Sequence, residues 1–427
     1  MANIQTLIEE MKTGKHDADL LELYVDESVI ERQKARYVLA LETFKDHFGD
    51  KEVRVYSAPG RSEVGGNHTD HQRGRVLAAG VNLDTIAVVA KRDDDVIVVD
   101  SEGFNIKPVN AAILDINEKE AGTSEAIIRG VAAGIKNKGG IIGGFEAYMT
   151  SDVLEGAGLS SSAAFETLLG TILSHEYNEG SISAVDIAKI GQYAENEYFM
   201  KPCGLMDQMA SSVGSFITID FKDPKNPIVE KVDFDFDSSN HSLCIVDTKG
   251  SHADLTDEYA AVPADMKKVA NYFGKDVLRE VDSNEFYANV GDIRNAIGDR
   301  PVLRAYHFFG DNDRVVDEVA ALKANDFETF KNLVKASGDS SFKYLQNVYS
   351  NKNINEQNIS TGLAMSEYIL QGKGVCRVHG GGFAGTIQAF VPNEMLTTYK
   401  QGIEAVFGEG SCYVLKVRPF GGHKVFA

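Results

Sequence analysis

Several stretches of this chain gather side chains suited to handling hydroxyl and phosphate groups. In APGRSEVGGNHTDHQRG (58–74), Arg61 follows a Pro-Gly pair, and Asn67, His68, Thr69, Asp70 and His71 stand side by side. Apolar periodicity is absent there, while strand-like runs lie on both sides (VRVYSA and RVLAAGVNLDTIAVVA). The stretch is therefore expected to be a polar bend between two strands. Such a density of donors and acceptors fits a polyhydroxylated ligand, because each hydroxyl both donates and accepts.

A second stretch, EGAGLSSSAAFETLLG (155–170), runs from a strand pattern into Gly156 and Gly158, then three serines, then a helix opening on Ala163 and Ala164. Glycines let backbone approach a ligand, and the free N–H groups of a first helical turn make an anion site. An ordinary serine cap uses one serine and one glycine, fewer than stand here. No Walker A pattern occurs in the chain, so a phosphate-binding role here would be that of a different kind of nucleotide loop. Gly380, Gly382 and Gly385 in RVHGGGFAGTIQAF (377–390) satisfy G-x-G-x-x-G, but the residues that follow are β-rich and end at Pro392. A dinucleotide fold needs a helix there, so the segment reads as a second closely approaching glycine loop. In CGLMDQMASSVGSF (203–216), Asp207 opens a helical pattern after a Pro-Cys-Gly turn, and Glu195 lies in the helix before it. Alone, each would be an ordinary helix acid.

The elements that must position these groups come in blocks. Residues 1–48 are helix-patterned, 52–150 are dominated by short β-branched runs, 255–340 are nearly all helical, and strands return near GVCRVHGGG, TIQAFVP and CYVLKVRP. Blocks without strict βαβ alternation imply α+β domains. With 427 residues, two domains are expected, and DFKDPKNPIVEK (220–231) is the candidate boundary. The net charge of -20, from 43 basic and 63 acidic residues, repels nucleic acid and anionic lipid. Any phosphate must be held by local devices. No apolar run is long enough to span a membrane, and the charged N-terminal stretch lacks the apolar centre of a signal peptide. Four scattered cysteines fit a reducing, cytoplasmic setting.

In combination, PGR…HTD, GLSSSAA and GGGFAG, in this order, resemble the three motifs of the GHMP family of small-molecule kinases. KPCGLMDQ, SHADLTDEY and RAYHFFGDNDRV (304–315) extend the resemblance to galactokinases, over roughly residues 42 to 427. The resemblance implies an α+β, two-domain GHMP kinase fold, with a ribosomal-protein-like N-terminal domain (42–222), a ferredoxin-like C-terminal domain (223–427) and a helical extension (1–41). It implies transfer of the ATP γ-phosphoryl group to the anomeric hydroxyl of a galactose-like sugar; the sequence leaves the oligomeric state open, with a monomer favoured. Asp207 would orient or deprotonate that hydroxyl with Arg61 beside it. Gly156, Ala157, Gly158, Leu159, Ser160, Ser161 and Ser162 would wrap the phosphates, and Ser162 and Glu195 would hold Mg²⁺. Asn67, His68, Asp70, Gly204 and Tyr259 would line the sugar together with Arg61 and Asp207.

The family text near Arg61 is close to PGRVNLIGEHTDYN, whereas this chain has Glu63 for the asparagine, Asn67 for the glutamate and His71 for the tyrosine. The family glutamate is expected on the sugar's 6-hydroxyl. A neutral Asn67 with Arg73 near would tolerate a carboxylate there, and the H-x-D-H-Q run is similar to that of plant galacturonokinases, so galacturonate is an alternative substrate. AAVPADMKK after Tyr259 replaces the family's arginines, and Ala384 stands for a glycine in the third motif. A non-catalytic sugar and ATP sensor is a further alternative. The intact SSSAA run and the presence of Arg61, Glu195 and Asp207 favour an enzyme.

Overall fold

The computed structural model describes residues 2–153, 158–251 and 255–426; Gly156 and Ala157 of the expected phosphate loop lie outside them. The helix-patterned opening folds as expected. After strand β1 (Ala2–Asn3), helices α1 (Ile4–Lys12), α2 (Asp17–Tyr24) and α3 (Ile30–Phe48) turn apolar faces inward. The Asn3 side chain caps α1 by accepting from the Gln5 N–H at 2.9 Å. Leu7, Leu20, Tyr37, Leu41 and Phe44 bury against Val55 and Val88 of the sheet below. Residues 1–41 thus form a cover on one face of that sheet.

The sheet is built on strands β2 (Glu52–Gly65) and β3 (Arg75–Lys91), paired antiparallel. The expected bend at 58–65 is instead the second half of β2. Register shifts between Pro59 and Arg61 and between Glu63 and Gly65 absorb the Pro-Gly pair. The strand is buried on both faces, which erases the alternation by which a strand is recognised. The turn itself falls at Gly66–Gly74, around a short 3₁₀ segment at Asp70–Gln72.

Strands β4 (Val96–Ser101) and β5 (Val109–Asn110), helix α4 (Ser124–Asn137), strand β6 (Phe145–Ser151) and helices α5 (Ser161–Tyr177), α6 (Ala184–Tyr193) and α7 (Met206–Val213) follow, then β7 (Phe216–Asp220) and β8 (Ile228–Val232). The large sheet runs β1-β2-β3-β6-β4-β5. Strand β6 pairs with one end of β3 and β7 with the other, so the sheet forks along β3. The helices α4, α5 and α6 cover its second face with Val131, Leu168, Ile172 and Ile190 over Val89 and Ile97. The DPKNP segment is the turn of the β7–β8 hairpin. The chain leaves the large sheet only after β8, since prolines that mark a turn look alike in a hairpin and in a linker.

Strand β9 (His241–Asp247) starts the second sheet. Helices α8 (Thr256–Tyr272), α9 (Ser283–Ala288), α10 (Val290–Ile297), α11 (Asp299–Lys323), α12 (Phe327–Ser340) and α13 (Asn358–Leu370) precede β10 (Val375–Val378), β11 (Thr386–Pro392), α14 (Leu396–Phe407) and β12 (Cys412–Leu415). The sheet order is β10-β11-β9-β12, antiparallel throughout. Leu77 and Phe216 of the large sheet share one core with Leu243 and Phe390 of the small one, completed by Val315 of α11 and Phe330 of α12. Strand β13 (His423–Phe426) then returns to pair with β2. Among the described residues no helix is long and apolar enough to cross a membrane.

One buried ion cluster joins the N-terminal helices, β2, β3 and the segment before β13. Asp84 accepts from Arg36 Nη1 at 2.6 Å, Tyr24 Oη at 2.8 Å and Arg418 Nη1 at 3.1 Å, and also from Ser57 Oγ. Two guanidinium groups share this carboxylate out of water; without it Arg36 keeps only Asp152 at 3.3 Å as a counter-charge, and Arg418 keeps only carbonyl and hydroxyl partners. Asp84→Ala should destabilise the fold by about 3–5 kcal/mol in urea denaturation. A loss below about 1 kcal/mol would show that the cluster does not hold these segments together.

Candidate active site

The sequence-selected groups converge on a cavity of about 250 Å³ beneath the N-terminus of α5. Arg61, His68, Asp70, Ser162, Glu195, Gly204 and Asp207 all line it. Arg61, from β2, grips Asp207, from the first turn of α7, by two parallel bonds: Nε to Oδ1 at 2.8 Å and Nη2 to Oδ2 at 2.9 Å. Its third nitrogen, Nη1, donates to the Gly158 carbonyl, and its backbone N–H donates to the Leu159 carbonyl at 2.9 Å. Ser160, in the left-handed region at φ 59°, donates from Oγ to Asp207 Oδ2 at 2.8 Å. Burial alone would raise the Asp207 carboxyl. The Arg61 charge and the Arg61 and Ser160 hydrogen bonds outweigh it and hold the group below the usual aspartate range. Asp207 is therefore an ionised, directed acceptor.

Helix α5 starts at Ser161 with no side-chain cap, so its first-turn N–H groups lack a capping side chain where Ser162 lines the cavity. Gly158 is held at φ +69°, and a Cβ there would lie 2.8 Å from Thr386 Oγ1 and 3.1 Å from His379 Nδ1. The third motif thus presses on the serine loop through His379. That imidazole is kept neutral by burial and by the charges of Arg61 and Arg377.

Glu195 sits in a π-helical turn (Ala194–Tyr198) that continues α6, a distortion common where a helix must re-aim a functional side chain. Gln208, next to Asp207, donates from Nε2 to Glu195 Oε2 at 2.9 Å and to Glu166 Oε2 at 3.0 Å. Glu166 Oε1 and Gln208 Oε1 are buried without a protein partner. Burial and the neighbouring Glu195 push the Glu166 carboxyl well up. Of Glu166 and Gln208, the latter lines the cavity together with Ser162 and Glu195, an oxygen-rich lining that fits a hard divalent cation. Among the described residues no group of three or more His, Cys, Asp or Glu side chains is arranged to hold a metal ion.

On the opposite wall, Asp70 Oδ2 would lie only 2.6 Å from a Cβ at Gly204, so the glycine lets the acid approach α7. His68, at φ 58°, donates from Nε2 to the Gly381 carbonyl at 3.0 Å; burial and His71 pull its pKa down to about 4, so it is neutral.

Two expected sugar contacts stand elsewhere. Asn67 is fully buried behind the wall: Nδ2 donates to Glu63 Oε1 at 2.9 Å and to the Gly380 carbonyl at 2.7 Å, while Oδ1 accepts from Asn347 Nδ2 at 2.9 Å and Ser341 Oγ at 3.1 Å. The α11 segment around 304–315 locks the same residue, with His307 Nε2 on its carbonyl at 2.8 Å and its N–H on Asp311 at 2.9 Å. Tyr259 lies behind the glycine loop, its hydroxyl donating to the Gly382 carbonyl at 2.8 Å. Arg73 pairs with Glu280 at 2.8 Å and does not line the cavity. Residues to which the sequence reading gave no site role complete the wall, chiefly Glu63, noted there only as a departure from the family text, with Lys201, Cys203 and Gln208. Glu63 follows Arg61 by two positions on β2, the spacing that puts both on one face of a strand. That signal is usable only once β2 is known to continue past Gly60.

With this geometry in view, the relatives are informative. A family model for the galactokinase galactose-binding signature matches residues 42–91, and one for the N-terminal domain of GHMP kinases matches residues 126–215. A galactokinase of Glaesserella parasuis serovar 5 (strain SH0165) is 30% identical over 375 residues, covering 84% of this chain and 90% of that protein. The chain belongs to the galactokinase family. As a member of the galactokinase family it is a kinase, as the resemblance implied. A Streptomyces coelicolor galactokinase is 30% identical over 287 residues, 67% of this chain and 73% of that protein. The crystal structure of Lactococcus lactis galactokinase complexed with galactose superposes with a TM-score of 0.77 at 24% identity, covering 91% of this chain and all of that one. Methanococcus jannaschii mevalonate kinase, at a TM-score of 0.61 and 14% identity, covers 86% of this chain and 98% of its own. The expected α+β GHMP kinase fold is the fold found.

Glu63 gives the wall a measurable pH signature. Burial, opposed by Arg377, pushes its carboxyl from 4.5 up to about 7. Between those values the folded protein holds a proton that the unfolded chain has lost, so this group makes the fold less stable as pH rises through that interval. Denaturation at pH 5 and pH 7.5 should show a smaller loss in Glu63→Gln than in the natural protein. An equal loss in both would place the proton elsewhere.

Proposed function

We propose that this protein transfers the γ-phosphoryl group of ATP to the anomeric hydroxyl of D-galactose, giving galactose 1-phosphate and ADP. The observation that carries the reading is the bidentate Arg61–Asp207 pair in the wall of a polar cavity at the open N-terminus of α5. On this reading, two domains enclose ATP and sugar, the expected boundary at 222/223 moving past β8, which stays paired in the large sheet, with 1–41 as a packed extension.

Phosphoryl transfer needs positioning and charge neutralisation more than covalent chemistry. Asp207 orients the attacking hydroxyl by accepting its hydrogen bond. Held below the usual aspartate range, it is a weak base at rest and takes the proton only as the hydroxyl oxygen commits to phosphorus. Arg61 keeps that carboxylate in register and puts a fixed positive charge beside the phosphoryl group in flight. The first-turn N–H groups of α5 and the loop from Gly156 to Ser162 receive the phosphates. Ser162 and Glu195 would hold Mg²⁺, which when bound neutralises phosphate charge. Gln208 keeps Glu195 aimed. Asp70, His68 and Gly204 face the sugar. The galacturonate alternative loses its footing, because neither Asn67 nor Arg73 lines the cavity and Glu63 places a carboxyl there.

ADP release with Mg-ATP should favour galactose over galacturonate, glucose, N-acetylgalactosamine and L-arabinose, and no turnover with any of them would overturn the reading. Asp207→Asn should lower kcat by about 10²–10⁴ with the fold intact by circular dichroism. Glu195→Gln should raise the Mg²⁺ concentration for half-maximal rate more than it raises KM for galactose.

A further inference from the structure

Glu63 is the cavity-wall acid that the mechanism above leaves unused. Its side chain shares a face of β2 with Arg61 and is 4% exposed, so whatever it touches in the cavity it touches away from bulk water. One of its oxygens is fully committed. Oε1 accepts from Arg377 Nη2 at 2.8 Å and from Asn67 Nδ2 at 2.9 Å, whereas Oε2 has no partner among the described residues. The two donors that hold Oε1 are themselves fixed. Arg377 spends Nη1 on the Val64 carbonyl at 3.0 Å and Nε on the Val378 carbonyl at 3.0 Å, and Asn67 has every side-chain position filled. The carboxyl plane of Glu63 is thus set from behind, with one acceptor left to face a ligand.

We infer that Glu63 is a specificity-determining residue whose free Oε2 accepts a hydroxyl of the bound sugar, with Asn67 and Arg377 as the positioning residues that aim it. The inference rests on the sugar-kinase reading and deepens it. Asp207 and Arg61 address the reacting hydroxyl, so Glu63, one strand repeat further along β2, addresses a different hydroxyl of the same ring. Once ionised, an acceptor of this kind selects a neutral hydroxyl and disfavours a ligand with a carboxylate at that position, because two anionic oxygens would then face each other out of water. Arg377 cannot relieve that clash, since all its donors used here point to protein carbonyls and to Glu63 itself.

The test compares galactose with its 2-, 3-, 4- and 6-deoxy forms at pH 8.5, where the Glu63 carboxyl is ionised, by kcat/KM with Mg-ATP and by calorimetric binding without ATP, in the natural protein and in Glu63→Gln. Loss of a hydrogen bond to a charged acceptor should weaken one deoxy sugar about tenfold to a hundredfold in the natural protein. In Glu63→Gln that penalty should shrink to within about threefold, through KM rather than kcat, while the other penalties stay. If Glu63→Gln does not fold, Glu63→Asp keeps the charge and withdraws the carboxyl by one methylene, and the same single penalty should shrink. An unchanged pattern of all four penalties in the folded variant overturns the inference and leaves the kinase reading standing. Natural protein that binds galactose with this pattern but releases no ADP overturns the kinase reading and leaves Glu63 in its place. Natural protein that neither binds nor phosphorylates galactose overturns both.

Discussion

Burying a guanidinium is costly unless its donors find partners, and Arg61 meets that demand by reaching three parts of the chain at once. Its bidentate face fixes Asp207 on α7, its remaining nitrogen and its backbone N–H hold the carbonyls of Gly158 and Leu159, and Ser160 closes the loop by donating to Asp207. The acid, the phosphate loop and the start of α5 are therefore placed by one side chain. The bulge beside Pro59 has a reason in these terms: it shifts the register of β2 where Arg61 leaves the strand.

The polar interior behind the sugar wall follows the same logic of satisfied groups. Asn67 links the β2–β3 turn to α11, to Ser341 and Asn347 after α12, and to the glycine loop before β11. Each of these segments lies far away in sequence, and none brings a free charge to the junction. The family pattern departs at positions 63 and 67 as if an acid and an amide had changed places. The structure gives the pair a common account, with the amide sealed inside and the acid on the cavity wall.

Much of the site was legible in the sequence because its chemistry is local. Gly158 to Ser160 lead directly into a helix that opens on Ser161 and Ser162, and Asp207 stands in the first turn of another, so motif and placement coincide. The α+β class was legible too, from the blocks of β-branched and helical text. Asn67 was misplaced for a physical reason: an asparagine beside His68 and Asp70 looks solvent-facing, and only α11, some 240 positions later, shows that it is covered. The continuation of β2 through Pro59 and Gly60 was hidden because burial on both faces removes the period of two. Gln208 and Arg377 act through partners distant in sequence, and spacing carries no trace of that.

Strand β2, which carries Arg61 and Glu63, has two small neighbours on the edge away from β3. Strand β1 covers Glu52 and Val53, and β13 covers Val55 to Ser57. The first comes from the start of the described chain and the second from its last strand. During synthesis, then, the outer edge of the strand that bears the reaction's arginine stays open until nearly every other element has been made. A ribosome-bound intermediate with the large sheet otherwise assembled would present unpaired backbone at that edge, the kind of surface that other strands add to. Pairing of β13 with β2 removes that hazard.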